Sequence, residues 1–266
     1  ALNADTGKYV WHYQETPGDN WDYTSTQPMI LADLTIDGQP RKVVLHAPKN
    51  GFFFVIDRTN GKFISAKNFV DVNWATGYGK DGRPILTEHF DSTLEGALVC
   101  PGVGGGANWP AASFNPITKL FYVRVIDGCA IYKKDPAPIE MGQRFFGGSG
   151  AGQPGTELFI RALDYRTGRT AWEYKLANGG GSGTLSTAGG LVFFGEGGGT
   201  MTAVNAATGE FQLFDLAGNV IANPGDYDVP TQRLRSDYST SQSYGGVFRV
   251  LPWLRLGASG SGFAVA

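Results

Sequence analysis

Residues 162–168 read ALDYRTG and are followed by Trp172, and this segment is the most informative in the sequence because the chain repeats it. Its frame is Ala, five residues, Gly, three residues and Trp. The other copies are ALNADTG at 1–7 with Trp11, AVNAATG at 203–209 with Leu213 in place of Trp, a weaker VIDRTNG at 55–61 and a related turn, NPIT, at 115–118. Self-similarity of this kind indicates a repeat architecture.

Each copy of the frame predicts a strand, a tight turn and a returning strand. Alternating apolar residues before the Asp or Asn are typical of a strand, and the Thr-Gly pair supplies a turn that tolerates positive φ. The Trp on the returning strand can then pack between neighbouring sheets. Intervals of 41 residues from Gly168 to Gly209 and 54 from Gly7 to Gly61 suit one four-stranded blade of a β-propeller with loop insertions. A β-sandwich with coincidental Thr-Gly turns is the alternative.

Composition favours the same fold class and excludes some partners. The 266 residues include 39 Gly, 17 Phe, 11 Tyr and 6 Trp, as expected of an all-β protein with many turns. A net charge of -2, with 17% charged residues, gives no electrostatic reason to bind nucleic acid or an anionic membrane. The longest apolar runs are far shorter than the roughly 20 residues of a membrane helix.

The repeated frame resembles the tryptophan-docking motif of PQQ-dependent (quinoprotein) alcohol dehydrogenases, in whose eight-bladed propeller each blade docks a Trp against the next. The resemblance implies that residues 1–266 are the C-terminal part of such a propeller, with about four blades. It covers residues 1–225, whereas the tail 226–266 matches poorly. The chain begins inside a motif without a leader, so we expect a missing N-terminal half, which would also cover the exposed sheet edges.

The first candidate site residue lies in GDNWDYT at 18–24. In the family a Trp-Asp pair supplies the catalytic aspartate beside the quinone, which implies that Asp22 is the base that takes the alcohol proton and also a metal ligand. Asp22 could instead cap a turn, and Asp19 is expected to be a solvated turn residue. Members that use lanthanides carry a second Asp where this chain has Thr24, so the resemblance implies Ca²⁺.

The second candidate lies in APKNGFFFVIDR at 47–58, which resembles the segment that places a cation against the quinone oxygens. Lys49 is the matching residue, and a fixed positive charge there would stabilise electron density on the quinone oxygen. A lysine on a solvated face is the alternative.

The third candidate segment is CPGVGGGANWP at 100–110. Its glycines do not form a phosphate-binding loop, because no Lys-Ser/Thr pair or helix follows. By family resemblance Asn108, eight residues after Cys100, and its neighbour Trp109 contact PQQ. Spacing alone leaves Cys100 and Cys129 as either free thiols or a disulfide, whereas the family bonds two cysteines 29 residues apart, as these are. A disulfide would favour an oxidising compartment, the periplasm.

Two further observations limit the interpretation. The segment GTLSTAGGLVFFG at 183–195 is a family signature that we expect to be a strand and its turn. Many members have a Trp shortly before it, as the floor under PQQ, but residues 178–183 offer only Asn, Gly and Ser. No Cys-x-x-Cys-His occurs, so no c-type haem attaches in this segment, and His12, His46 and His89 lack metal-ligand spacing.

The resemblance implies oxidation of a primary alcohol to an aldehyde with PQQ and Ca²⁺, and transfer of electrons to a cytochrome c or another acceptor. Two alternatives are a non-catalytic propeller that serves as a binding or assembly scaffold and a PQQ-dependent sugar dehydrogenase. The scaffold gives no reason for Asp22, Lys49 and Asn108 to occur together. We expect these three to converge on one side of the propeller axis.

Overall fold

The computed structural model describes residues 1–89, 91–176, 181–197 and 200–211, and beyond these only the backbone of short strands. Every regular element that it describes is a β-strand, which confirms the all-β prediction. In chain order the strands are β1 Ile30–Ile36, β2 Gln39–His46, β3 Phe52–Asp57, β4 Phe63–Asn68, β5 Ala75–Tyr78, β6 Pro84–Leu86, β7 Ala97–Val99, β8 Ser113–Asn115, β9 Leu120–Asp127, β10 Ala130–Lys134, β11 Gly148–Gly152, β12 Glu157–Asp164, β13 Thr170–Lys175, β14 Thr184–Ser186, β15 Leu191–Glu196, β16 Thr200–Asn205, β17 Leu213–Phe214, β18 Val220–Ala222, β19 Leu234–Arg235, β20 Gly246–Leu251, β21 Leu254–Ser259 and β22 Gly262–Val265.

Three antiparallel four-stranded sheets form the framework, and we call them the first, second and third blades. Their strand orders are β1-β2-β3-β4, β13-β12-β9-β8 and β14-β15-β16-β19. Smaller sheets are β11-β10-β7, β5-β6, β17-β18 and β20-β21-β22. We predicted about four blades. The described part of the chain contains three four-stranded sheets, and residues 1–11 form a turn closed by the bridge between Leu2 and Tyr9.

The blades pack face to face through alternating side chains of their inner strands. All six residues of β3 are buried, since both faces of this strand are covered. Phe53 and Val55 join a core with the second blade, where the Phe53 and Phe121 rings lie 4.8 Å apart. Phe52 and Phe54 face the opposite side, into a core that contains Trp21. The second and third blades share another core, which includes Trp172.

The repeated frame folds into one turn geometry. In each copy the Asp or Asn carbonyl accepts an N–H from the residue four positions later, at 2.8 Å, and its side chain accepts a further N–H within the turn. The residues that accept are Asn3, Asp57, Asn115, Asp164 and Asn205. Glycine occupies the last turn position in four copies, while Lys119 takes it in the fifth with φ +63°. The NPIT turn is therefore a full structural copy of the frame.

The Trp of one repeat lies on the turn glycine of another. The Trp11 indole N–H donates to the carbonyl of Arg58 at 3.0 Å, and that of Trp172 donates to Ala206 at 3.0 Å. A Cβ added to Gly61 would come within 2.6 Å of the Trp11 ring, and one added to Gly209 within 2.5 Å of the Trp172 ring. Glycine is required at these turns both for positive φ and for the close approach of the indole.

Candidate functional site

The carboxylate of Asp22 projects from a tight turn. Asp19 Oδ1 accepts the backbone N–H groups of Trp21 at 2.9 Å and Tyr23 at 3.1 Å, so Asp19 caps the turn and leaves the Asp22 side chain free of that role. Trp21 and Tyr23 are buried, whereas the Asp22 side chain between them is 69% exposed. Asp22 has φ +61°, a left-handed conformation that Asp tolerates better than most residues. Strained backbone of this kind is concentrated at functional sites.

Lys49 is not a solvated lysine. Its side chain is only 6% exposed, and its Nζ lies 3.0 Å from Oδ2 of Asp22, although 27 residues separate the two in sequence. The lysine follows β2 and precedes β3, and its backbone carbonyl accepts the N–H of Gly106 at 2.8 Å. Packing and backbone hydrogen bonding therefore hold this cation in place, with its ammonium group directed at the exposed carboxylate.

Asn108 and Trp109 lie on the loop that packs on Lys49. A Cβ added to Gly105 would come within 2.4 Å of the Lys49 Cβ, so glycine allows the loop to approach this closely. The Asn108 amide donates to the Gly104 carbonyl at 2.8 Å and its side-chain oxygen accepts the N–H of Trp109 at 2.8 Å. The Trp109 side chain is 73% exposed. The structure thus pairs Asp22 directly with Lys49, and it connects Asn108 to them through the loop.

A disulfide closes the base of this loop. Cys100 and Cys129 are bonded, with Cα atoms 4.3 Å apart. The Tyr23 hydroxyl donates to the carbonyl of Pro101, next to the disulfide, and the Tyr132 hydroxyl donates to the Trp21 carbonyl at 3.3 Å. Burial raises the pKa of both tyrosines far above the usual value, so both hydroxyls stay protonated and act as donors. The residues on either side of Asp22 are thereby held to the disulfide-bonded region.

Sequence reasoning missed a buried polar network beneath this site. His46 is fully buried between the carboxylate of Glu15 and the carbonyl of Gln27, and Asn50 donates to the Thr16 hydroxyl at 3.1 Å. These residues come from the segments that carry Asp22 and Lys49. No local motif marks them, because the partners of His46 lie 31 and 19 residues away in sequence. The signal that the sequence offers is the occurrence of His46, Lys49 and Asn50 within five residues, directly after an apolar run.

Two predictions fall on residues that the structure leaves partly undescribed. The expected absence of an aromatic floor concerns 178–183, of which 178–180 lie outside the described residues. The tail at 226–266 is described only by the backbone of β19 to β22. By contrast, the signature segment at 183–195 forms β14, a turn and β15, as predicted.

No group of three or more His, Cys, Asp or Glu with metal-binding geometry occurs among the described residues. The same part of the chain contains no helix long and apolar enough to cross a membrane.

Comparison with known families gives two matches. Residues 1–73 match the family model described as "Glucose/ethanol/alcohol dehydrogenase, beta-propeller domain". Residues 157–214 match the model described as "Outer membrane protein assembly factor BamB". The first match covers Asp22 and Lys49, whereas the second covers the repeats that contain Trp172 and Gly209.

Known proteins resemble nearly the whole chain. A quinohemoprotein alcohol dehydrogenase of Comamonas testosteroni is 47% identical over 93% of this chain and 37% of the relative. A 1-butanol dehydrogenase (cytochrome c) of Thauera butanivorans is 42% identical over 93% of this chain and 38% of the relative. The chain therefore spans little more than a third of the length of these relatives.

Solved structures agree with this relationship. The crystal structure of the quinohemoprotein alcohol dehydrogenase from Comamonas testosteroni matches 96% of this chain and 37% of its own, with 39% identity and a TM-score of 0.74. A europium-containing methanol dehydrogenase matches 79% of this chain and 38% of its own, with 34% identity and a TM-score of 0.70. The β-propeller prediction is confirmed.

Proposed function

Because this chain belongs to the PQQ-dependent alcohol dehydrogenase family, we propose that its protein oxidises a primary alcohol to the aldehyde with PQQ and Ca²⁺. One observation carries the proposal: a buried, fixed cation, Lys49, lies 3.0 Å from an exposed carboxylate, Asp22. A scaffold would have no use for this pair, since a half-exposed ion pair contributes little to stability. Alcohol oxidation needs both groups, because a carboxylate can take the hydroxyl proton while a nearby cation stabilises the negative charge that develops.

The donor set fits the cofactor in its chemistry. PQQ, when bound, would supply the acceptor for the hydride of the alcohol carbon, together with quinone and carboxylate oxygens that a cation or an amide can contact. Lys49 offers a cation for such oxygens, and Asn108 offers a neutral amide on the neighbouring loop. The exposed ring of Trp109 provides a flat apolar contact. These residues would hold the cofactor against the surface formed by residues 104–109.

Asp22 acts as the general base in this proposal. One of its oxygens, Oδ2, faces Lys49, and among the described residues Lys49 is the hydrogen-bond partner of this carboxylate. The other oxygen is therefore available to take the hydroxyl proton of the substrate, a step that positioned bases accelerate by about 100- to 10,000-fold.

Lys49 supplies electrostatic stabilisation. A donor that is already oriented does not have to reorganise as negative charge develops, and exclusion of water makes its charge more effective. Burial of the stem and the hydrogen bond from Gly106 to its carbonyl hold this side chain in place. Lys49 is thus oriented before a ligand arrives.

Asp22 is also the proposed metal ligand. Ca²⁺ takes six to eight oxygen ligands, so the remaining ones would come from the cofactor and from parts of the protein outside this chain. Thr24 is neutral, and the lower negative charge supports a divalent ion over a trivalent one. This distinction matters because one of the similar solved structures is a methanol dehydrogenase that contains europium.

The proposal extends to partner and location. One relative is named for cytochrome c, which supports a cytochrome c as the electron acceptor here. The Cys100–Cys129 disulfide supports an oxidising compartment, and we assign the protein to the periplasm.

The decisive experiment uses the full-length protein reconstituted with PQQ and Ca²⁺. Asp22→Asn keeps the size of the side chain and an oxygen toward Lys49, but it removes the base. We expect kcat for a primary alcohol to fall by at least about 100-fold, with the fold retained by circular dichroism. Asp5→Asn, at an exposed residue in the turn of the first repeat, is the control and should keep full activity. An unchanged kcat in Asp22→Asn would overturn the assignment.

A further inference from the structure

His46 connects the two segments that carry the proposed catalytic pair. It ends β2, three residues before Lys49, and its side chain is fully buried. Its Nδ1 lies 2.8 Å from Oε1 of Glu15, and its Nε2 lies 3.0 Å from the carbonyl oxygen of Gln27. Glu15 and Gln27 lie on either side of Asp22 in sequence. One imidazole ring therefore bonds to both flanks of the segment that presents the base.

The hydrogen-bond partners determine where the ring carries its protons. A backbone carbonyl can only accept, so Nε2 carries a hydrogen. Oε2 of Glu15 accepts the Ser25 hydroxyl at 2.6 Å, which leaves Oε1 as an acceptor for Nδ1 if Glu15 is ionised. The ring bonds Glu15 in both possible arrangements, since an ionised Glu15 accepts the Nδ1 hydrogen and a protonated Glu15 donates its own hydrogen to Nδ1.

Glu15 is itself held in place. The Tyr78 hydroxyl donates to its backbone carbonyl, and the Ser25 hydroxyl donates to its side chain. Burial raises the pKa of Tyr78, so this hydroxyl stays protonated and remains a donor. The bond from His46 to Glu15 therefore connects the end of β2 to a fixed point on the segment before Asp22.

The same network reaches the third loop of the site. The Gln27 side-chain amide donates to the Ala107 carbonyl at 3.2 Å, next to Asn108. Asn50, next to Lys49, donates to the Thr16 hydroxyl, and its carbonyl accepts the Trp74 indole N–H at 3.0 Å. Directional bonds thus join the segments around Asp22, Lys49 and Asn108 beneath the surface on which the ligand would lie.

We propose that His46, hydrogen-bonded to Glu15 and to the Gln27 carbonyl, is a positioning residue that fixes Asp22 relative to Lys49. The inference rests on the proposed function, since it treats Asp22 and Lys49 as the catalytic pair. His46 contacts neither substrate nor cofactor. It acts by holding the two segments at the separation that places the ammonium group 3.0 Å from the carboxylate.

The first test reads the ring directly and needs no cofactor. The full-length protein is labelled with ¹⁵N-histidine, and the His46 signals are assigned by their loss in His46→Gln. We expect the Nε2 signal to be that of a protonated, hydrogen-bonded nitrogen, because its partner is the Gln27 carbonyl oxygen. An Nε2 that carries no proton overturns the inference, since His46 would then not bond the segment after Asp22.

The second test is kinetic, with the enzyme loaded with PQQ and Ca²⁺. Glu15→Gln keeps the shape of the side chain but replaces the carboxylate beside Nδ1 with an amide, which weakens the bond that holds the segment before Asp22. We expect kcat of this variant to fall while KM changes little, because the alignment of the pair is disturbed and the ligand contacts are not. A kcat equal to that of the parent contradicts the inference. This variant also keeps the proposal testable if His46→Gln fails to fold.

The third comparison measures position. If His46→Gln displaces the pair by about 1 Å, kcat should fall by about 100-fold. His89→Gln, at an exposed histidine, is the matched control and should behave as the parent. Full activity in His46→Gln overturns the positioning role. If Asp22→Asn is also fully active, the proposed function itself is wrong; if Asp22→Asn is inactive, only the role of His46 is wrong.

Discussion

Gly105 is the position at which a single methyl group tests the arrangement of the site. Its φ is +76°, and the Cβ of an alanine would lie 2.4 Å from the Cβ and 2.6 Å from the Cα of Lys49. Lys49 cannot easily retreat, because its side chain is buried and its carbonyl is bonded to Gly106. Gly105→Ala must therefore move the loop that carries Asn108 away from the lysine.

The cost of this substitution has two parts. A left-handed conformation costs a residue with a Cβ about 1–2 kcal/mol. Overpacking against a fixed neighbour adds about 1–3 kcal/mol. The matched control is Gly190→Ala, because Gly190 has φ +80° but nothing within 4 Å of an added Cβ. It bears the conformational part alone, so the difference between the two variants, about 1–3 kcal/mol, measures the contact with Lys49.

The assay is urea unfolding of the full-length protein, in which equal m-values allow the midpoints to be compared. PQQ affinity and kcat are measured on the same preparations. Displacement of the loop should weaken PQQ binding and lower kcat in Gly105→Ala, while Gly190→Ala should retain both. If the two variants lose the same stability and both bind PQQ as the parent does, the loop at Gly105 does not contact Lys49, and the proposed link between this loop and the site is wrong.

Two further predictions concern the repeats. Trp172→Ala should lower the free energy of unfolding in urea by about 3–5 kcal/mol, because the indole is buried on Gly209 and hydrogen-bonded to Ala206. Trp109→Ala is the control and should change it by less than about 0.5 kcal/mol, because Trp109 is 73% exposed. Equal losses in the two variants would contradict the packing of Trp172 between the blades. The Thr59 hydroxyl holds the pKa of Asp57 below its usual value despite burial, so this carboxylate stabilises the fold above about pH 4 and the contribution is lost as pH falls through the lower folded value. Asp57→Asn should thus lower the free energy of unfolding at pH 7, and this variant should lose less stability than the parent as the pH falls below about 4. If the variant and the parent show the same dependence of stability on pH, the Asp57 carboxylate does not make this contribution.

The repeats were predictable from sequence because their physics is local. An Asp or Asn bonds the turn that follows it, and the glycine four residues later takes the positive φ, so both residues lie within one short window. The fifth turn was seen only as a related motif, since Lys119 replaces the glycine there. Lys119 adopts φ +63° because the Asn115 side chain and the bond from its own N–H to the Asn115 carbonyl fix the turn. A glycine that tolerates positive φ can be recognised in a sequence, whereas the hydrogen bonds that force Lys119 into the same conformation cannot.

The site was predictable in part, for a related reason. Asp22, Lys49, Asn108 and Trp109 each lie in a segment that resembles the family, so each could be named from its neighbours in sequence. The roles of Asp19 and His46 depend on geometry. Asp19 caps the turn that exposes Asp22, and it was expected to be only a solvated turn residue. His46 bonds across 19 and 31 residues of chain, and no window of sequence contains both of its partners.

The unequal burial of the two proposed catalytic groups suits their different tasks. A group that stabilises developing charge works best when it is already oriented, and Lys49 is held by burial of its side chain and by the bond from Gly106 to its carbonyl. A base must reach the hydroxyl proton of a bound alcohol, and the Asp22 side chain projects from the surface of this chain, where a ligand can approach its second oxygen. Placing Asp22 on a left-handed turn between two buried aromatic residues directs the base outward while the segment on either side stays fixed.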